Sequence, residues 1–160
     1  MENTVNPMTE TVDAATQAPT TPDPTESAPA TPQDQLNALI AKRMGSFDIK
    51  ISQADLKYIK NSINQKIEWK GPNEAYLVIM SLLSIENTLA EMDPKNLSPI
   101  QIKLPAATIE AINYFLSKIS GKGLDSAQKL FSISMMFRPA MEAIRKIDEE
   151  IKVLEAELKN

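Results

Sequence analysis

The sequence predicts a mainly α fold (α+β) in which two strand-helix-helix repeats share one small two-stranded sheet. Three observations predict it. The run Phe47-Asp48-Ile49-Lys50-Ile51-Ser52 returns as Ile100-Gln101-Ile102-Lys103-Leu104-Pro105, at the offset of 53 residues that separates Ile49 from Ile102. Both runs alternate apolar and polar side chains, the period of a half-buried strand. Each is followed by an apolar face at helical spacing: Ala54, Leu56, Ile59 and Ile63, then Ala107, Ile109, Ile112 and Leu116. The offset continues without a gap through Leu77/Leu130 and Ser81/Ser134. A unit that cannot cover its own apolar face must pack against its copy.

Residues 1–34 form an acidic, Pro- and Thr-rich tail. Pro7, Pro19, Pro22, Pro24, Pro29 and Pro32 break any helix, and Met1, Val5, Met8 and Val12 are its only sizeable apolar side chains. Such a segment buries too little surface to offset its ordering entropy, so disorder is expected. Residues 35–44 read as a short amphipathic helix with Thr31 or Asp34 as cap and Gly45 as its end. A helical core over residues 35–140 then holds the two repeats, 47–92 and 100–138.

Repeat one reads as strand 47–51, helix 53–67 capped by Ser52, a turn at Trp69-Lys70-Gly71-Pro72-Asn73, and helix 74–92 capped by Asn73. The second helix is apolar nearly all round (Tyr76, Leu77, Val78, Ile79, Met80, Leu82, Leu83), which predicts the central buried helix. Met92-Asp93-Pro94 stops it. Repeat two reads as strand 100–104, helix 105–119, a loop with Gly121 and Gly123, and a helix from Asp125 capped by Asp125 or Ser126. Pro139 is expected to kink or divide that helix. Residues 141–160 read as a C-terminal amphipathic helix extension, making this last helix long.

The 160 residues contain no cysteine and no histidine. That removes disulfides, thiolate zinc sites, cysteine nucleophiles, and the commonest general base and transition-metal ligand. Glu91 and Asp93 sit at a helix end as ordinary surface acids, and Gly121-Lys122-Gly123 is far shorter than a phosphate cradle. The expectation is a non-enzyme with no cofactor, no metal and no small-molecule substrate. No apolar run reaches the roughly 18 residues of a membrane span, and the N-terminus lacks the pattern of a secretory signal. A soluble protein that is not secreted, cytoplasmic or packed within a virion, is expected.

Net charge is −4, distributed as six acids and no base in residues 1–35, thirteen bases against nine acids in 36–141, and four against six in 142–160. The mildly basic middle admits nucleic acid without demanding it. Strand-helix-helix units with alternating apolar strands resemble the ribbon-helix-helix family of Arc and MetJ type. The resemblance rests on Ile100, Ile102, Leu104, Pro105, Ile109 and Ile112 and on their counterparts in repeat one. It implies an antiparallel ribbon that enters the DNA major groove. Its outward positions, the base readers of that family, would be Asp48 and Lys50, then Gln101 and Lys103. DNA-binding residues on this reading are Lys50, Gln101 and Lys103. Lys50 and Lys103 exposed together on one ribbon would favour DNA; separated or covered strands would favour assembly.

Met135, Met136 and Met141 cluster with Phe131 and Phe137, and are expected in the core. From Phe137 the apolar residues alternate by three and four through Ala140, Ile144, Ile147, Ile151, Leu154 and Leu158, a coiled-coil seam. Ile144, Ile147, Ile151, Leu154 and Leu158 are therefore candidate partner-binding residues, unless the helix folds back on its own domain. A parallel self-pairing would oppose Glu150 to Glu155, so the cover is expected to be the protein's own core, an antiparallel copy, or a partner with basic flanks. The chain is also similar in general style to small phage-encoded accessory or virion proteins. The functional expectation is a non-catalytic protein-binding or assembly module; the alternative is a tandem ribbon-helix-helix-like DNA-binding regulator.

Overall fold

The structure, a computed structural model, describes residues 31–159. The expected disorder of the tail lies outside the described residues, apart from residues 31–34, which belong to the first helix and its cap. In chain order the elements are α1 (Pro32–Arg43), β1 (Ser46–Ile51), α2 (Gln53–Lys66), α3 (Gly71–Glu91), β2 (Ile100–Pro105), α4 (Ala106–Lys118) and α5 (Leu124–Glu157). The fold is mainly helical with one two-stranded antiparallel sheet and a long C-terminal helix, as the repeat predicts.

The strands pair as Ser46↔Pro105, Phe47↔Leu104, Asp48↔Lys103, Ile49↔Ile102, Lys50↔Gln101 and Ile51↔Ile100. Ile49 and Ile102 are the same position of the two repeats, and they face each other. A pseudo-two-fold axis therefore passes through that pair and exchanges the repeats. One face of the ribbon buries Ile49, Ile51, Ile102 and Leu104. The other carries Asp48, Lys50, Gln101 and Lys103 into solvent.

Under the ribbon, α2 and α4 supply equivalent core residues: Leu56 and Ile109, Ile59 and Ile112, Ile63 and Leu116. These hold the offset of 53. Beyond them it shrinks by one. Helix α4 is one residue shorter than α2, 13 against 14. From there the equivalent positions are Ile67 and Ile119, which follow the two helices, then Gly71 and Gly123. In the second helices the buried positions Ser81 and Ile85 answer to Ile133 and Phe137. The identities Leu77/Leu130 and Ser81/Ser134 are thus coincidences of an ungapped comparison; Ser81 is buried and Ser134 only partly so. Gly71 and Gly123 both take positive φ, 77° and 87°, which ordinary L-residues avoid.

Two of the four capping expectations change. Thr31 caps α1 in a reciprocal box with Asp34, and Ser52 caps α2 through the Asp55 amide, as the sequence implies. Asn73, however, lies inside α3, whose cap Lys70 makes no side-chain bond. Asp125 and Ser126 likewise lie inside α5, which starts from Gly123. Pro139 does not divide α5, which crosses residue 141 as one helix. Pro139 is exposed. Its ring leaves the carbonyl of Met135, four residues earlier, without a helical N–H partner.

The expected central burial of α3 is overturned. Its fully covered residues are Ser81 and Ile85, whereas Tyr76, Ile79, Met80 and Leu83 are exposed. Packed by α2 and α4 and hardly touching α5, α3 covers one stripe and leaves the opposite one open. The Met/Phe cluster also splits. Phe137 is buried, Met136 and Met141 pack against the core's edge, and Phe131 and Met135 face outward.

The Ser81 hydroxyl is fully buried without a hydrogen-bond partner. A polar group desolvated with nothing in return costs about 1–3 kcal/mol. Ser81→Ala is expected to leave stability unchanged or raise it by up to about 1 kcal/mol, read as a higher urea midpoint at constant slope.

Candidate functional site

Three surfaces are candidates: the outer face of the ribbon and the seam of α5, which the sequence singles out, and the open face of α3, which it does not.

On the ribbon, Lys50 and Lys103 do share one exposed face, with Gln101 opposite Lys50 and Asp48 opposite Lys103. The face thus carries two cations and one anion. In helix-terminus electrostatics an N-terminus attracts anions. Here α3 already holds Glu74 in its first turn and α5 holds Asp125. Glu74 accepts from the Lys70 backbone amide at 2.6 Å, from Lys118 Nζ at 2.6 Å and from the Tyr114 hydroxyl. The Lys118 bond above all, then those from Tyr114 and Lys70, pull its carboxyl down to about 2. The start of α3 is closed by the protein's own carboxylate.

The α5 seam is divided. Ile144 and Ile147 are buried in the protein's own core, Ile151 and Leu154 are half-buried, and Leu158 is exposed. The cover over the distal half is α1, which runs antiparallel beside it. Arg43 binds Glu110 Oε1 at 2.7 Å and Asp148 Oδ1 at 2.6 Å, tying α1 to α4 and α5 at once. Asp148 thus serves this bridge from the flank of the seam. Between α1 and α5 a groove of about 690 Å³ remains, with Leu39, Val153 and Leu154 in its walls.

A second anchor holds α5 to repeat one. Lys129 binds the largely buried Asp55 carboxylate, which also accepts from the Ser52 hydroxyl at 2.6 Å. Burial pushes the Asp55 carboxyl up, but Lys129 and Ser52 together outweigh it and hold it below the ordinary range. Both Asp55 and Glu74 are depressed in the folded state. The stability they contribute is fully present above the unfolded carboxylate value, near 4, and is lost as pH falls through the folded values. Thermal midpoints should be level from pH 7 to about 5 and fall below about 4. Asp55→Asn and Glu74→Gln should each flatten that fall; an unchanged acid limb in both variants contradicts the assignment.

On α3, Tyr76, Ile79, Met80 and Leu83 form one stripe, exposed by 61, 55, 45 and 49 %. Their equivalents under the pseudo-two-fold are Gln128, Phe131, Ser132 and Met135 of α5. Ile79 and Leu83 are thus matched by Phe131 and Met135, both outward-facing. Sequence reasoning missed this face because its residues look like core. The signal was present all the same: a helix apolar on every side exceeds what a domain of this size can surround.

No protein family matches the chain, and neither does any curated protein or solved structure. Among the described residues no helix is long and apolar enough to cross a membrane.

Proposed function

We propose that this protein is a non-catalytic docking or assembly module that binds a protein partner through the open face of α3. The observation that carries it is the stripe Tyr76-Ile79-Met80-Leu83, each side chain about half exposed on a helix anchored at its start and on its other face. Contiguous apolar surface on a folded helix is disfavoured in water and marks interaction sites. Singly scattered apolar residues would need no such account; four on successive turns of one face do.

The test is affinity capture of the full chain from cells that produce it, comparing wild type with Leu83→Glu. A partner held by wild type and lost from the variant supports the reading. Identical partner sets for both proteins, or none for either, refute it.

A second reading, DNA binding through the ribbon, is favoured by the shared face of Lys50 and Lys103. Magnitude places it second. Duplex binders that neutralise about 6–10 phosphates use many cations, whereas this face supplies two, one of them opposite Asp48. Salt-sensitive retention on duplex DNA, abolished by Lys50→Ala with Lys103→Ala, would establish it. No retention at low salt ends it.

A further inference from the structure

We propose that the occupant of the α3 stripe is a second copy of this chain, packed α3 against α3, antiparallel about a two-fold axis. The inference rests on the docking reading above and names the partner.

Charge is the first argument. The outward positions Tyr76, Ile79, Met80, Leu83 and Asn87 include no ionisable acid or base at neutral pH. The acids that border them are held within the chain: Glu74 by Lys118 and Glu86 by Lys60 at 2.7 Å. A charged partner would lose hydration here and gain no counter-charge. A second copy brings the same uncharged stripe, so no like charges meet across the contact.

Register is the second. Placed antiparallel about the midpoint between Ile79 and Met80, the stripe sets Tyr76 against the copy's Leu83 and Ile79 against the copy's Met80, each contact made twice by symmetry. Every exposed apolar side chain of the stripe then meets another. Asn73 falls opposite Glu86, a donor beside an acceptor. The α5 stripe suits this arrangement less well, because Gln128 and Ser132 interrupt it where α3 has Tyr76 and Met80. Four side chains on each subunit make a small contact, at the low end of specific interfaces. The dimer is accordingly concentration-dependent rather than permanent.

Sedimentation velocity of the purified full chain, from about 1 μM to about 300 μM, reads the association directly. The weight-average mass is expected to rise from the 17.7 kDa of one chain towards twice that value. Leu83→Glu and Ile79→Glu should stay monomeric while unfolding at the wild-type temperature. The chain has no cysteine, so Tyr76→Cys and Leu83→Cys proteins can be mixed and joined with a short bismaleimide. Cross-links between the two variants should exceed those joining two copies of the Leu83→Cys variant. A mass of one chain throughout, or the same rise in Leu83→Glu, overturns the inference. A preference for links between like positions overturns the antiparallel arrangement. If the purified chain is monomeric while Leu83→Glu still loses a captured partner, docking stands and self-association falls. If both measurements are blank, both fall.

Discussion

Replacing Ile49 by Asp is expected to leave no cooperative unfolding transition at 25 °C. Ile49 is 1 % exposed, sits at the pseudo-two-fold centre of the ribbon, and faces Ile102 across the strand pair. The substitution removes about 1.5–3 kcal/mol of side-chain burial. It also places a carboxylate among apolar residues with no cation on that face, at a further cost of several kcal/mol. Their sum approaches the 5–15 kcal/mol total typical of a domain. Circular dichroism during urea titration measures it. Ile49→Val, which keeps the shape, should cost about 0.5–1.5 kcal/mol. An Ile49→Asp protein that unfolds cooperatively within about 2 kcal/mol of wild type would show that the ribbon's inner face is not core.

Phe137→Ala is expected to cost about 3–5 kcal/mol, while Phe131→Ala, six residues earlier on the same helix, should stay within about 0.5 kcal/mol. Phe137 is fully buried and Phe131 is 66 % exposed. Both lose the same atoms, so the difference isolates the cavity and the lost burial from any effect on helix propensity. Phe137 also occupies the position equivalent to Ile85, so the wider side chain fills the core from repeat two's side alone. Urea midpoints at unchanged slope give both numbers. Equal costs for the two variants would mean that α5 is turned about its axis relative to the placement described here.

The strands, their pairing partner and the first helix of each repeat were legible in the sequence, because alternation and helical spacing report directly which side chains face inward. Ile49, Ile102, Ile59 and Ile112 all fall where those periods put them. The second helices were less legible. A residue missing from the end of α4 shifts the second repeat by one, and two chance identities concealed the shift. Burial of α3 was misjudged for a different reason. Hydrophobicity records that a face must be covered, not whether the cover belongs to the same chain. Of the expected site residues, Lys50, Gln101 and Lys103 come together on one face. The seam does not stay together as a free surface, because Ile144 and Ile147 lie in the core while Leu158 is exposed. Arg43 gave no advance signal of its bridge, since Glu110 and Asp148 are remote from it in sequence and only the tertiary fold joins them.

The self-matching of Ile49 with Ile102 also bears on how the chain is made. Every ribbon contact joins residues about fifty positions apart, so closure is slow compared with helix formation. During synthesis β1 leaves the ribosome well before β2 exists, as an unpaired edge above a helix that is ready to fold. Because the central pair joins equivalent positions and the flanking pairs exchange them about it, β1 is nearly complementary to another β1 in the same register. The symmetry that closes the ribbon within one chain thus makes a ribbon between two chains its nearest structural competitor.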